Sequence, residues 1–459
     1  MVAADPDWTA LRASFQGRIE DSVTGKESFG TDATGLRAEP SAVVAPEDPS
    51  DLVRLIAWAR SNRVPLVARG GGTSLTGGSV AFGEAIVVDF SRWDSIHEID
   101  AKNRWARVGP GVINRALQRK AASEGLFFPP NPGSWETSTL GGNAATNASG
   151  PRSFRYGSFR RWALQANLVL GTGERFAVGT RSSKRSVGPE LLDVFIGSEG
   201  ILGLFVDLTV RLAPIPPRRT ALAVPLNGKA RVGPLAQRLA AAPQLTFSAI
   251  EYLDALTAGE LAEIESSRLP SGPAILLLEV ESQSPEEEDR QLGFLQQLLN
   301  EIGETQEALV FPDADALWSL RGKSGLALDR RFGSRLREDV AVPLGIVDRL
   351  MDSITSIAAE AKIPVYVYGH LGDGNLHPNF VIDPADPAAE RIRERLLTET
   401  LRLGGTISAE HGIGWLKRSY LSGEIGVVGV ELLRSLKHRC DPDGILNPGK
   451  LLEASSDVR

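Results

Sequence analysis

Cysteine is nearly absent: Cys440 is the only one among 459 residues. A single thiol forms no intrachain disulfide, and it cannot build a cysteine-ligated zinc site or an iron–sulfur cluster from this chain alone. The expected compartment is therefore a reducing one, the cytoplasm, with any membrane association made peripherally through a partner. Long apolar runs are missing too. None approaches the roughly 20 residues needed to cross a bilayer. The opening MVAADPDWTALRASF has neither the basic region nor the apolar stretch of a signal peptide. An excess of basic charge is also lacking. The net charge of −7 disfavours nonspecific nucleic-acid binding and a basic membrane-surface role. Histidine is scarce, at five residues. What remains is an ordinary globular composition, 42% hydrophobic and 23% charged. The length suits about two to four domains.

Glycine, by contrast, is concentrated. RGGGTSLTGG (Arg69–Gly78) follows a short apolar strand, VPLVA. A second segment, PPNPGSWETSTLGGNAATNASGPRSFRYGS, spans Pro129–Ser158, and a third, GSEGILG, spans Gly197–Gly203. Glycine carries a large folding entropy cost, so such loops need a compensating ligand or contact. Backbone N–H groups in consecutive turns form a positive nest for phosphate oxygens. Three nests in one half of the chain point to one long, phosphate-bearing ligand. The spacing is not GxGxxG and there is no Walker lysine, so neither a Rossmann site nor a P-loop is expected.

Around these loops the pattern alternates between strands and helices. Asp48 or Ser50 is placed to cap a helix carrying Val53, Ile56, Ala57 and Ala59 at helical spacing. A hairpin is expected to turn at Gly171–Gly173. Prolines cluster in PIPPRRT, a natural domain boundary. Beyond it, long helices alternate with strands such as AILLLEVES and PVYVYGH, which suggests an antiparallel sheet covered by helices. The fold expected is α+β: residues 1–218 as a glycine-loop domain, 219–404 as a substrate or cap domain, and 405–459 returning toward the first.

Three of the five histidines lie in two glycine-marked motifs. In PVYVYGHLGDGNLHPNFVI, Asp373-Gly374 is a two-residue hairpin signal. That turn would set His370 directly opposite His377, with Cβ atoms about 5 Å apart on one sheet face. Two imidazoles so placed can chelate a divalent metal. In GTISAEHGIGWLKR, Glu410 offers an oxygen ligand and His411 a base. On an extended strand these neighbours would point to opposite faces, dividing the two roles. Zinc favours such nitrogen and oxygen sets with an open position. His97 and His438 read as a surface strand residue and a helix-end residue.

The order RGGGTSLTGG, PPNPGSWETSTLGGNAATNASG, GSEGILG resembles the FAD-linked oxidases of the vanillyl-alcohol oxidase type. The D-lactate, D-2-hydroxyglutarate and glycolate dehydrogenase flavoproteins are the nearest branch. The resemblance implies that Arg69–Gly78 embraces the FAD pyrophosphate, and that the other two segments lie along the flavin and ribityl chain. The implied cofactor set is Arg69, Gly70, Gly71, Gly72, Thr73, Ser74, Gly77, Gly78, Pro132, Gly133, Ser138, Thr139, Gly142, Asn143, Thr146, Glu199, Gly200 and Ile201. No histidine stands in the first loop, so FAD is expected to be noncovalent.

The same resemblance gives His370, His377 and Glu410 to a divalent metal, His411 to proton abstraction and Asn375 to the substrate's side. Arg321 matches a substrate-carboxylate arginine. Arg337 stands where several relatives carry lysine, which preserves a cation but changes its geometry. The implied reaction is oxidation of a small D-2-hydroxyacid to the 2-oxoacid, with hydride passing to flavin N5. The electrons then go to a separate acceptor: an electron-transfer flavoprotein, a cytochrome, or a quinone-linked or iron–sulfur subunit. A homodimer is compatible with this. Competing readings are a non-redox transferase resembling alkyl-dihydroxyacetonephosphate synthase, a nucleotide-binding metallohydrolase, and the flavin subunit of a glycolate oxidase complex.

Overall fold

The computed structural model describes residues 6–182, 184–227, 231–264, 268–303, 306–311 and 313–453. The chain divides into two compact units. The first contains Met1–Ser149, Ser158–Ile215 and Glu410–Arg459; the second contains Gly150–Gly157 and Pro216–Ala409. The C-terminal segment thus joins the first unit from Glu410. The short stretch Gly150–Gly157, read from sequence as part of the second glycine segment, belongs to the other unit.

Among the described residues the first unit holds two larger sheets and a two-stranded pair, Leu126–Phe127 with Ala213–Pro214. One has four strands in the order Arg18–Glu20, Val43–Ala45, Ile86–Asp89, Leu66–Arg69, the last three parallel. A parallel pair needs a crossover, and the helix Pro49–Asn62 supplies it. Asp48 caps that helix by accepting a hydrogen bond from the Asp51 N–H at 2.8 Å, and Pro49 sits in its first turn. Leu52, Leu55, Ile56 and Ala59 bury one face against Val44, Leu66, Ile86 and Val88. The second sheet is antiparallel, ordered Ile96–Asp100, Trp105–Val108, Gly203–Arg211, Ala163–Leu170, Arg175–Gly179. The expected hairpin links the last two strands, with Gly173 at φ 87° in its turn.

The second unit is built on an eight-stranded sheet. Its strands run in the order Leu309–Phe311, Arg218–Pro225, Ile275–Ser282, Phe247–Leu253, Val365–Gly369, Asn375–Phe380, Leu336–Arg337, with Val340–Ala341 also paired to Asn375–Phe380. Every pairing in it is antiparallel. All eight residues of Ile275–Ser282 are buried, so both of its faces are covered. On one face Ala221, Ala223, Leu253, Ile275 and Leu277 pack against the helices Ala255–Ala262 and Ala314–Gly322 through Ala258, Leu261, Leu317 and Leu320. The expected α+β architecture, an antiparallel sheet covered by helices, is the one observed.

Two local expectations need correction. The strands Val365–Gly369 and Asn375–Phe380 are joined by a 3-10 turn over Leu371–Asp373, not by a two-residue hairpin. The Asp373 N–H and the Asn375 N–H both bond to the His370 carbonyl. The register therefore places Tyr368, not His370, opposite His377. The second correction concerns Glu410 and His411. They lie in a loop, with Gly412 at φ 82° and Gly414 at φ 52° breaking any strand.

Candidate functional site

The three glycine segments converge within the first unit. A methyl group on Gly70 would stand 2.0 Å from Thr139 Oγ1, and one on Gly71 would stand 2.3 Å from the Thr137 carbonyl oxygen. The first and second segments therefore touch where only glycine fits. The second and third join through backbone bonds, Gly197 N–H to the Ala144 carbonyl at 2.9 Å and Glu199 N–H to the Ala145 carbonyl at 2.8 Å. Asn447 closes the ring. Its Nδ2 donates to the Glu199 carbonyl at 2.7 Å and to the Gly78 carbonyl at 3.2 Å. Inside the first loop, Ser74 Oγ accepts from the N–H groups of Thr76 and Gly78. Thr139 caps the short helix Leu140–Ala145, and Thr146 Oγ1 donates back to the Gly142 carbonyl.

Four buried polar atoms on or beside these segments have no protein partner among the described residues: Arg69 Nη1, Asn131 Oδ1, Ser138 Oγ and Asn143 Nδ2. Orphaned buried polar atoms are costly, and a polar ligand with phosphate and ring functions satisfies them. The cradle thus fits a dinucleotide. Arg69, Ser138 and Asn143 belong to the expected cofactor set; Asn131 does not, although it sits in the quoted PPNPG run. Gly133 has no atom within 4 Å of an added methyl, so space alone does not require glycine there.

The Glu199 side chain has partners within the first unit. Its carboxylate is buried and accepts the N–H groups of Ile413 and Gly414, each at 2.7 Å. Burial pushes this carboxyl up to about 7, against the two N–H donors and Lys450, which pull it down. The Lys450 ammonium, also buried, is pushed down to about 8 by desolvation. It donates to the Val80 carbonyl at 2.7 Å and to Asn447 Oδ1 at 3.1 Å. The loop that Glu199 holds carries Glu410 and His411. Thr76 Oγ1 donates to the His411 carbonyl at 3.3 Å, and the Trp415 N–H donates to the Thr76 carbonyl at 2.8 Å. Glu410 Oε2 accepts from Ser149 Oγ at 2.8 Å, and Glu410 Oε1 lies 3.8 Å from His411 Nε2. These two side chains are neighbours, not residents of opposite strand faces. Cofactor cradle and candidate base therefore share one hydrogen-bonded scaffold.

In the second unit the sheet presents a polar row on one face. His370 and His377 have ring centroids 5.1 Å apart, edge to face. They meet despite the shifted register because His370 lies two residues beyond Tyr368, on the same side of the chain. His370 Nδ1 contacts Glu251 Oε1 at 2.5 Å. Glu251 Oε2 receives Arg321 Nε at 2.9 Å and lies 2.8 Å from Arg321 Nη2. The Arg321 guanidinium also stacks over Tyr368 at 4.7 Å. His377 Nδ1 is 3.4 Å from Asp339 Oδ1, which accepts from Asn375 Nδ2 at 2.8 Å. The second Asn375 hydrogen goes to the Val340 carbonyl at 2.9 Å, so any contact to a substrate falls to Oδ1.

Arg337 stands opposite Asn379 in the sheet and pairs with Asp329, which also holds Arg335 at 2.6 Å. Glu251 and Asp339 were not singled out from sequence. A lone glutamate inside the apolar strand FSAIEYL was the available signal, because a buried carboxylate demands a donor. Arg152 and Tyr156, inside the second glycine segment by sequence, instead serve two further buried acids. Arg152 bonds to Glu279 and Tyr156 to Glu281.

Comparison with known proteins decides the family. Residues 40–179 match the FAD binding domain, and residues 215–451 match the FAD linked oxidases, C-terminal domain. The chain belongs to the FAD-linked oxidases. It is an FAD-dependent oxidoreductase, in agreement with the motif resemblance to the vanillyl-alcohol oxidase type. The glycolate oxidase subunit GlcD of Bacillus subtilis is 33% identical over 100% of this chain and 99% of its own length. D-lactate dehydrogenase of Archaeoglobus fulgidus is 35% identical over 90% of this chain and 92% of its own. D-2-hydroxyglutarate dehydrogenase of Stutzerimonas stutzeri is 28% identical over 95% and 97%. Among solved structures, p-cresol methylhydroxylase matches this FAD-linked oxidase with a TM-score of 0.80 at 14% identity, covering 98% of this chain and 97% of the other. Alkyldihydroxyacetonephosphate synthase matches with a TM-score of 0.72 at 16% identity, covering 95% and 83%. At those identities the two structures speak for the fold alone. No described helix is long and apolar enough to cross a membrane.

Proposed function

We propose that this FAD-linked oxidase oxidises a small D-2-hydroxyacid to the corresponding 2-oxoacid and passes the electrons to a separate acceptor. The observation that carries the reading is the likeness to relatives named for glycolate, D-lactate and D-2-hydroxyglutarate, which share one chemistry, a hydroxyl α to a carboxylate. FAD, held without a covalent bond by the three glycine segments, supplies the two-electron acceptor for the C2 hydride. Arg321 and Arg337 neutralise the substrate carboxylate. Asn375 orients the substrate through Oδ1. His411 accepts the hydroxyl proton.

His370 and His377 offer two nitrogen donors, and with the carboxylate of Glu410, which the motif resemblance adds, they would suit zinc with a position left open. The paired imidazoles, each with a carboxylate at Nδ1, fit such a cation. A divalent metal there supplies Lewis acidity, lowering the pKa of a bound hydroxyl. The acceptor lies outside this chain, whose one cysteine cannot carry an iron–sulfur relay. An electron-transfer flavoprotein, a cytochrome, or a quinone-linked or iron–sulfur subunit fills the role. The name of the Bacillus subtilis relative favours membership of a multisubunit oxidase as the second reading.

The test is an anaerobic screen of D- and L-2-hydroxyacids, following loss of flavin absorbance near ~450 nm. Bleaching by a D-2-hydroxyacid and not by its L-enantiomer is expected. A flavin that no 2-hydroxyacid reduces overturns the proposal and favours the non-redox transferase reading.

A further inference from the structure

Glu251 is fully buried, at 0% exposure, yet neither the family match nor the motif reading gives it a task. It stands in the middle strand of the second unit's sheet and divides its two oxygens. Oε2 faces the Arg321 guanidinium, through Nε at 2.9 Å and Nη2 at 2.8 Å. Oε1 faces His370 Nδ1. With a guanidinium on one oxygen, the carboxylate acts as an acceptor on the other. Nδ1 must then carry the hydrogen, which leaves the Nε2 lone pair as the ring's donor. Asp339 repeats the arrangement at His377, with Oδ1 3.4 Å from Nδ1 and anchored by Asn375. Two neighbouring imidazoles, each backed at Nδ1 by a buried carboxylate, are an arrangement that a plain stacked pair does not need.

We propose that Glu251 is a positioning residue. It fixes the tautomer and ring orientation of His370 for metal ligation, and in the same step it fixes the Arg321 guanidinium. This rests on the reading of His370 as a metal ligand. A carboxylate behind a ligating histidine commonly accounts for 10- to 100-fold in metal affinity. Because the same carboxylate holds Arg321, its loss is felt at the substrate carboxylate as well. One side chain therefore couples the cation and the anion clamp.

The experiment uses the FAD-loaded full chain, stripped of metal and titrated with Zn(II) against a fluorescent chelator. Glu251→Gln has a single amide oxygen and cannot serve both His370 and Arg321. Its zinc Kd is expected to rise about 10- to 100-fold, with the FAD-to-protein ratio unchanged and KM for the hydroxyacid raised. Glu251→Asp keeps the charge at a shorter reach and guards against loss of folding; its Kd should fall between wild type and Gln. His370→Ala is the companion. If His370→Ala abolishes zinc binding while both Glu251 variants keep Kd within about threefold of wild type, the positioning role is overturned. If His370→Ala binds zinc as wild type does, the metal reading itself fails, and the positioning role with it.

Discussion

A methyl group added at Gly71 tests the cradle directly. The added carbon would stand 2.3 Å from the Thr137 carbonyl oxygen and 3.2 Å from its carbonyl carbon. Both obstacles are backbone, so no rotamer change relieves the contact. The first and second glycine segments must separate by about an ångström to restore ordinary packing. Overpacking of this kind costs ~1–3 kcal/mol. If the separation acts on cofactor binding, that range corresponds to about 5- to 150-fold in the FAD dissociation constant. The control is Gly293→Ala, a glycine of the helix Pro285–Ile302 outside the cofactor set, whose added methyl meets nothing within 4 Å. The assay is a titration of FAD into deflavinated protein, read by quenching of flavin fluorescence, with the apoprotein melting temperature measured in parallel. Gly71→Ala is expected to weaken FAD within that range, and Gly293→Ala to leave it within about twofold. A Gly71→Ala protein with wild-type affinity and melting temperature would refute the claim that the two segments need this contact.

Glu199→Gln should flatten the pH dependence of stability. The folded-state pKa, about 7, lies above the ordinary glutamate value, so the native state keeps a proton that the unfolded chain releases. That contribution is full below pH ~4.5 and is lost as pH rises through about 7, an effect of up to ~3 kcal/mol. The wild-type melting temperature should therefore fall more steeply from pH 5 to 7 than that of the variant; parallel curves would discount the buried carboxyl. His411→Ala should lower kcat by about 10²- to 10⁴-fold while FAD and zinc content stay at wild-type levels. Turnover within a few-fold of wild type would remove His411 from the proton transfer.

Local chemistry was legible wherever the signal lay within a few residues. Asp48 caps its helix because the side chain and the orphan N–H are three residues apart. The turn at Gly173 sits where glycine's positive φ is needed. The convergence of the three glycine segments was legible as one ligand's worth of nests, although not the contact between Gly71 and Thr137. What stayed hidden depends on tertiary partners. Asp373-Gly374 carries the signature of a tight hairpin, but the His370 carbonyl accepts two N–H groups and widens the turn, sliding the register by two residues. Such a slip keeps every side chain on its face, so the histidine pair survived a wrong register. Glu410 and His411 were read as extended, whereas the Gly412 and Gly414 backbone and the grip of Glu199 on the loop make it turn. Glu251 is a single acid in an apolar strand, and Asp339 stands behind Arg337 and Glu338 with nothing local to mark it. Their partners lie 70 to 119 residues away for Glu251 and 36 to 69 for Asp339, beyond the reach of any local pattern.

The threading of the chain bears on its synthesis. The polypeptide changes unit after Ser149, Gly157, Ile215 and Ala409. The edge strand Leu66–Arg69 is paired on its outer side by residues far along the chain: the Leu66 N–H reaches the Ile445 carbonyl and the Asn447 N–H reaches the Leu66 carbonyl, both at 2.7 Å. On the ribosome, the half translated first waits for residues 445–447 to emerge before its sheet edge is covered. The half translated second has all its strands in hand by then. The order of birth and the order of completion are reversed, and a chain stopped between Ala409 and Ile445 would leave that edge uncovered while keeping every described strand of the sheet that bears the histidine pair.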